Sequence, residues 1–281
     1  RNTFSGGAGN IAETLGGISY DQQRRRWVVG ERSKIGVLDP SEIIRHIENT
    51  CAQMQQQMGA PRKVGILSIF THGFNEGLNF GNGRRIRNTG GGQNMATADF
   101  IRQIEPYLAD DARLIFYACD AGAAVHSEGG NYTNAAERQS GGEGCFSDLC
   151  RDLLNQNGAR REVWGHRTTT HAFTNPSSRV FSGPPNAPGS RASDPDLFGN
   201  GDAPTSQPAK DGRDAAVAHL QSLPECSTCG TQRLRYRLRA FVGTYMPLAP
   251  PAARPFYQNG QLNPEFTRFL EQHLATWCNH Y

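Results

Sequence analysis

Two apolar runs, each ending in a reactive side chain, constrain this chain most. The first is Val64-Gly65-Ile66-Leu67-Ser68-Ile69-Phe70, which leads into Thr71-His72-Gly73. The second is Arg113-Leu114-Ile115-Phe116-Tyr117-Ala118, which leads into Cys119-Asp120-Ala121-Gly122. Runs that are partly β-branched and apolar at successive positions read as parallel strands buried on both faces. In open α/β sheets, ligands bind beyond the carboxyl ends of the strands. The sequence therefore predicts that a histidine and a cysteine, 47 positions apart, reach the same edge of one sheet.

Helical patterns lie around these runs. Asp39-Pro40-Ser41-Glu42 carries an N-cap, a proline at the first helical position and a capping-box acid. Ile43, Ile44, Ile47, Cys51, Met54 and Met58 follow as an apolar stripe. A second helix is predicted from a Thr97 cap, with Phe100, Ile101, Ile104, Tyr107 and Leu108 on one face. A third carries Cys145, Phe146, Leu149, Cys150, Leu153 and Leu154 and stops at Gly158. With strand candidates at Trp27–Gly30 and Arg161–His166, the order alternates strand and helix. This predicts an α/β fold, a three-layer α/β/α sandwich with a mostly parallel central sheet.

The expected organisation is an irregular arm over 1–20, a core over 21–175, a Pro/Gly/Ser-rich linker or loop over 176–212, and a part over 213–281 that completes the same domain. In that last part the pattern predicts a helix over Ala215–Leu223, a strand over Leu234–Val242 and a terminal helix over Pro264–Trp277, with Phe266, Phe269, Leu270, Leu274 and Trp277 inward. Phe74–Gln93 and Ala123–Glu143 read as long polar loops.

Bulk properties exclude some classes. A net charge of +3 over 281 residues gives no reason to expect nucleic acid or an anionic membrane surface. Nearly all positive charge is arginine, with lysine only at 34, 63 and 210, a bias expected of a GC-rich bacterial genome. No run approaches the ~20 apolar residues that span a bilayer. No signal peptide is visible, and a chain that starts at Arg1 reads as a processed product or a module. Seven cysteines, an odd number in a chain this long, favour a mostly reduced protein.

Cysteine attacks acyl carbons near neutral pH when an adjacent imidazolium favours its thiolate. His72 is placed to supply that charge and then to protonate a leaving amine. The oxyanion needs donors fixed in advance; the backbone N–H of Gly73, which has no side chain to block approach, and that of Cys119 are the candidates. With Thr71-His72-Gly73 and Tyr117-Ala118-Cys119-Asp120-Ala121-Gly122 each closing an apolar strand, in this order and with a helix between, the chain resembles the caspase-like superfamily of cysteine peptidases (caspases, metacaspases, legumains, gingipains and clostripain) over residues 25–175. The resemblance implies a caspase-like fold and peptide-bond hydrolysis through a thioester acyl-enzyme. Its nucleophile would be Cys119, its general acid–base His72, its oxyanion hole the Gly73 and Cys119 amides. No cofactor or metal is implied, and the partner is a protein or peptide substrate.

There are departures and open readings. Caspases carry Gln two residues before the cysteine, in a pocket for Asp; Tyr117 stands there, so that preference does not transfer. Asp120 either selects a basic substrate residue or caps the following segment. His166 and His171 either line the substrate pocket or sit in a polar loop. Cys226 and Cys229 form a lone CxxC whose best further zinc partners, Cys278 and His280, are distant in sequence, so ordinary thiols are expected. Two further readings stay open: a catalytically silent member that binds without cutting, and a cysteine hydrolase or transferase acting on a non-protein amide. An effector or toxin delivered from a bacterium fits the composition.

Overall fold

The computed structural model describes residues 19–21, 26–29, 32–34, 39–61, 63–80, 83–123, 144–167, 178–187, 190–191, 207–254 and 256–278. In chain order the strands are β1 (Ser19–Asp21), β2 (Arg26–Val29), β3 (Arg32–Lys34), β4 (Val64–Phe70), β5 (His72–Phe74), β6 (Gly77–Asn79), β7 (Arg85–Arg87), β8 (Asn94–Ala96), β9 (Leu108–Tyr117), β10 (Glu162–His166), β11 (Ser178–Phe181), β12 (Ser190–Arg191), β13 (Tyr257–Gln258) and β14 (Gln261–Leu262). The α-helices are α1 (Pro40–Met58), α2 (Thr97–Ile104), α3 (Phe146–Leu154), α4 (Gln207–Ser222), α5 (Thr231–Tyr245) and α6 (Pro264–Cys278).

The central sheet has the order β12-β11-β10-β9-β4. Strands β4, β9 and β10 are parallel neighbours, β11 returns antiparallel and β12 turns back again, so four of the five strands share one direction. Helices cover both faces. Along β9, Leu114 and Phe116 join a core with α1, α2 and α3, as does Ala118 just beyond it, whereas Ile115 and Tyr117 join a second core with α4, α5 and α6. The same alternation splits Val163 from Trp164 and Phe181 from Val180, as the period of two requires. Each fully buried Leu or Phe in these cores contributes about 1.5–3 kcal/mol. The chain is thus α/β, with a mostly parallel sheet between two helical layers. Among the described residues, no helix is long and apolar enough to cross a membrane.

Several expectations change. Asp39 does cap α1, accepting from the Ser41 N–H at 2.8 Å. Thr97 does not cap α2: Ala96 occupies that position with no side-chain bond. Strand β4 was expected to be buried on both faces, but among the described residues it is the sheet's edge, and Ile66 is 40% exposed. The Trp27 strand pairs within a separate antiparallel sheet, β1-β2-β3. The polar stretch over 74–93 supplies β6 and β7, the inner strands of a second small sheet, β5-β6-β7-β8. Residues 234–242, expected to be a strand, are helical. Leu234-Arg235-Tyr236-Arg237-Leu238 imitates a strand's alternation, yet α5 buries Leu234, Leu238, Phe241 and Tyr245 at helical spacing and leaves Tyr236 52% exposed.

The segment read as a linker over 176–212 contains β11, whose four residues are all buried, as well as β12 and the start of α4. Composition concealed β11 because its one charged side chain, Arg179, is fully buried and donates to the Gly122 carbonyl at 2.9 Å. The turn that follows is held by another buried arginine. Arg151 donates to the Ser182 and Ala187 carbonyls at 3.2 and 2.7 Å and pairs with Asp148 and Asp152. Two N–H groups of one guanidinium thus hold the turn, while carboxylates of its own helix hold the guanidinium in place.

Candidate active site at the carboxyl edge of the sheet

The β4–β9 register sets the site. Phe70 stands opposite Tyr117, and the Thr71 N–H donates to the Tyr117 carbonyl at 3.4 Å. The two strands end level, and His72 and Cys119 each follow two residues later. At Thr71 the chain leaves the central sheet, so His72 is the first residue of β5. His72 is exposed and Cys119 is half-buried. Between them the backbones nearly touch: a Cβ added to Gly73 would lie 2.6 Å from the Cys119 carbonyl oxygen and 2.7 Å from Ala118 Cβ. Only glycine permits that approach.

The turn after the cysteine is pinned from several sides. Asp120 adopts φ 57°, and its carbonyl accepts the Ala123 N–H at 2.9 Å. The Gly122 N–H donates to the His166 carbonyl at 2.8 Å. Gly122 lies so close to Gly165 that an added Cβ would come within 2.5 Å of the Gly165 oxygen. The first turn of α3 sews the two loops together: Ser147 N–H donates to the Ala121 carbonyl at 2.9 Å and Phe146 N–H to the Asn75 carbonyl at 2.7 Å. These are amides a helix start leaves free. Here they take one carbonyl from the loop after Cys119 and one from the loop after His72.

Electrostatics differ from the sequence expectation. Burial pushes the Cys119 thiol up from its ordinary value of 9.0, the Asp120 charge pushes it further, and the residue's own backbone amide pulls weakly the other way. At neutral pH the resting sulfur is a thiol, so a base must take its proton as it attacks.

The remaining candidates fall in different places. Tyr117 is fully buried; its hydroxyl donates to the Thr244 carbonyl at 2.6 Å and its ring stacks on Phe70 at 4.2 Å. It belongs to the core behind the strand, not to an open pocket. Asp120 is buried, in the turn next to Cys119. His166 is also buried rather than pocket-lining: its ring packs edge-on against Tyr117 at 5.9 Å, and burial lowers its pKa to about 4. His171 lies outside the described residues. Cys226 and Cys229 form a turn in which the Cys229 N–H donates to the Cys226 carbonyl at 2.9 Å, and Arg237 donates to Cys229 Sγ at 3.3 Å. Among the described residues, no group of three or more His, Cys, Asp or Glu could hold a metal.

Sequence reasoning missed Asn79. It stands directly across from His72 in the β5–β6 pair, and its carbonyl accepts the Thr71 hydroxyl. Nothing in a glycine-rich stretch without periodicity signals such a neighbour. No protein-family model, curated protein or solved structure matches this chain.

Proposed function

We propose that this chain is a caspase-like cysteine endopeptidase, with Cys119 as nucleophile and His72 as general acid–base. The observation that carries the reading is the level ending of β4 and β9, with Gly73 packed against the 118–119 backbone. This delivers an exposed imidazole and a half-buried thiol to one edge. In the first step His72 takes the Cys119 proton as the sulfur attacks the peptide carbonyl carbon. The oxyanion is met by the backbone amides of Cys119 and Gly73. His72 then protonates the leaving amine, the C–N bond breaks and a thioester remains. A water molecule gives its proton to His72 and attacks the thioester. The carboxylic acid leaves and the thiol is restored. Catalysis needs no cofactor for any of these steps.

The raised thiol pKa supports general-base activation over a preformed ion pair. The test is cleavage-site identification across a proteome digest, wild type against Cys119→Ala, together with labelling by an acyl-electrophile peptide. The expected result is a set of new peptide termini and labelling at Cys119, both lost in the variant. Termini produced equally by Cys119→Ala would refute the assignment. A reactive Cys119 with no cleaved peptide would move the reading to a non-protein amide, and an inert Cys119 to a binding module.

A further inference from the structure

We infer that Asn79 is a positioning residue for His72: its side-chain carbonyl accepts one imidazole N–H and so fixes which ring nitrogen faces Cys119. Directly opposed residues of an antiparallel pair project from the same face, with Cβ atoms about 4.5–5.5 Å apart. His72 and Asn79 are such a pair, the second being Gly73 with Leu78. The alternate row settles the face: Leu78 and Ile86, paired in the next strand, are fully buried in the core, so His72 and Asn79 lie on the opposite face.

The second observation is an unmet acceptor. Asn79 Oδ1 is buried and has no hydrogen-bond partner. A buried acceptor without a donor is costly, and its persistence calls for an explanation. The backbone around it is fixed, because the Asn79 carbonyl already accepts the Thr71 hydroxyl. Arg85 lies on the other flank of Asn79 and is exposed. It makes no hydrogen bond to Oδ1, and the His72 imidazole is the ring N–H donor directly across the strand pair. This role rests on the peptidase reading, and it specifies what that reading demands. A neutral imidazole acts as a base at only one nitrogen, and a bond to the other nitrogen's N–H decides which. Once His72 holds the cysteine proton, both nitrogens carry hydrogens, and the bond to Oδ1 holds the ring still while the second proton is delivered to the leaving amine.

The experiment is 15N NMR of the imidazole rings in the full chain, with the His72 signals assigned through His72→Gln. Wild type should show one dominant neutral tautomer, Asn79→Ala a mixture of two, and Asn79→Asp, which keeps an acceptor, one tautomer again. Asn79→Leu, similar in size and lacking an acceptor, repeats the measurement if the alanine variant does not fold. In turnover, Asn79→Ala should lower kcat about tenfold to a hundredfold with KM within twofold, and Arg85→Gln should change neither tautomer nor kcat. An identical tautomer ratio in wild type and both acceptor-less variants overturns the inference, as does a mixture of tautomers in Arg85→Gln. The tautomer is read on the free chain without substrate. A failed peptidase reading with intact tautomer control is therefore distinguishable from the converse.

Discussion

The contact at Gly73 supports a quantitative prediction for Gly73→Ala. The new methyl would sit 2.7 Å from Ala118 Cβ, 2.6 Å from the Cys119 oxygen and 3.3 Å from the Ala118 carbonyl carbon. Two non-bonded carbons rest about 3.5–4.0 Å apart, so the two strand ends must separate by about 1 Å. Two of the three obstructing atoms are backbone and the third is a Cβ, so no side-chain rotation relieves the clash. Overpacking of this kind costs about 1–3 kcal/mol, which leaves most of the ~5–15 kcal/mol that holds a typical domain together. Activity should suffer more. The displaced atoms carry His72 on one side and Cys119 on the other, and a misplacement of about 1 Å costs on the order of a hundredfold in rate. Urea unfolding measures the first effect; peptide turnover and the alkylation rate of Cys119 measure the second. Gly65→Ala, in the preceding strand β4, is the control, since nothing lies within 4 Å of its added Cβ. It should leave both quantities unchanged. A Gly73→Ala protein with the wild-type urea midpoint and full turnover would refute the idea that the two strand tips are packed against each other in the working molecule.

Two further substitutions separate core from site. Tyr117→Phe removes the buried hydrogen bond to the Thr244 carbonyl, so stability should fall by about 0.5–1.5 kcal/mol while kcat and substrate preference stay as they were. A changed preference with unchanged stability would return Tyr117 to the pocket. His166 is neutral in the fold down to about pH 4, whereas an unfolded chain protonates it near its ordinary 6.5. Between those values the unfolded state binds more protons. This contribution is complete above about pH 6.5 and is lost as pH falls toward 4, with a slope of up to about 1.4 kcal/mol per pH unit. Urea midpoints measured from pH 7 to 4 should therefore flatten in His166→Leu, and a parallel decline in both proteins would contradict the buried neutral ring.

The parts of this fold that were legible in the sequence are those where one physical effect dominates. The runs ending at Ala118 and Phe70 are apolar enough that any packing makes them strands, and Asp39-Pro40 leaves the start of α1 little freedom. What stayed hidden depends on neighbours. An apolar run does not say whether a second strand lies beside it, so the edge position of β4 was not visible. Strand β11 satisfies its arginine through a carbonyl 57 residues away. In α5, arginines at every second position reproduced a strand's rhythm, while helical spacing decided which residues were covered. The candidate site divides in the same way. His72 and Cys119 could be named because strand ends are where such groups are presented. Tyr117 was drawn to the pocket by closeness in sequence and His166 by its place at the end of the next strand, but the alternation of a strand turns them into the layer beneath α5.

The first turn of α3 has a consequence for how the molecule could be remodelled. Its two leading amides tie a carbonyl from each half of the site to a single rigid rod. The halves are thereby coupled mechanically: a tilt of that rod would drag Asn75 and Ala121 together instead of prising them apart. Anyone seeking to widen or narrow this cleft by grafting new loops would have to keep positions 119–123 and 72–75 intact and work outward from them.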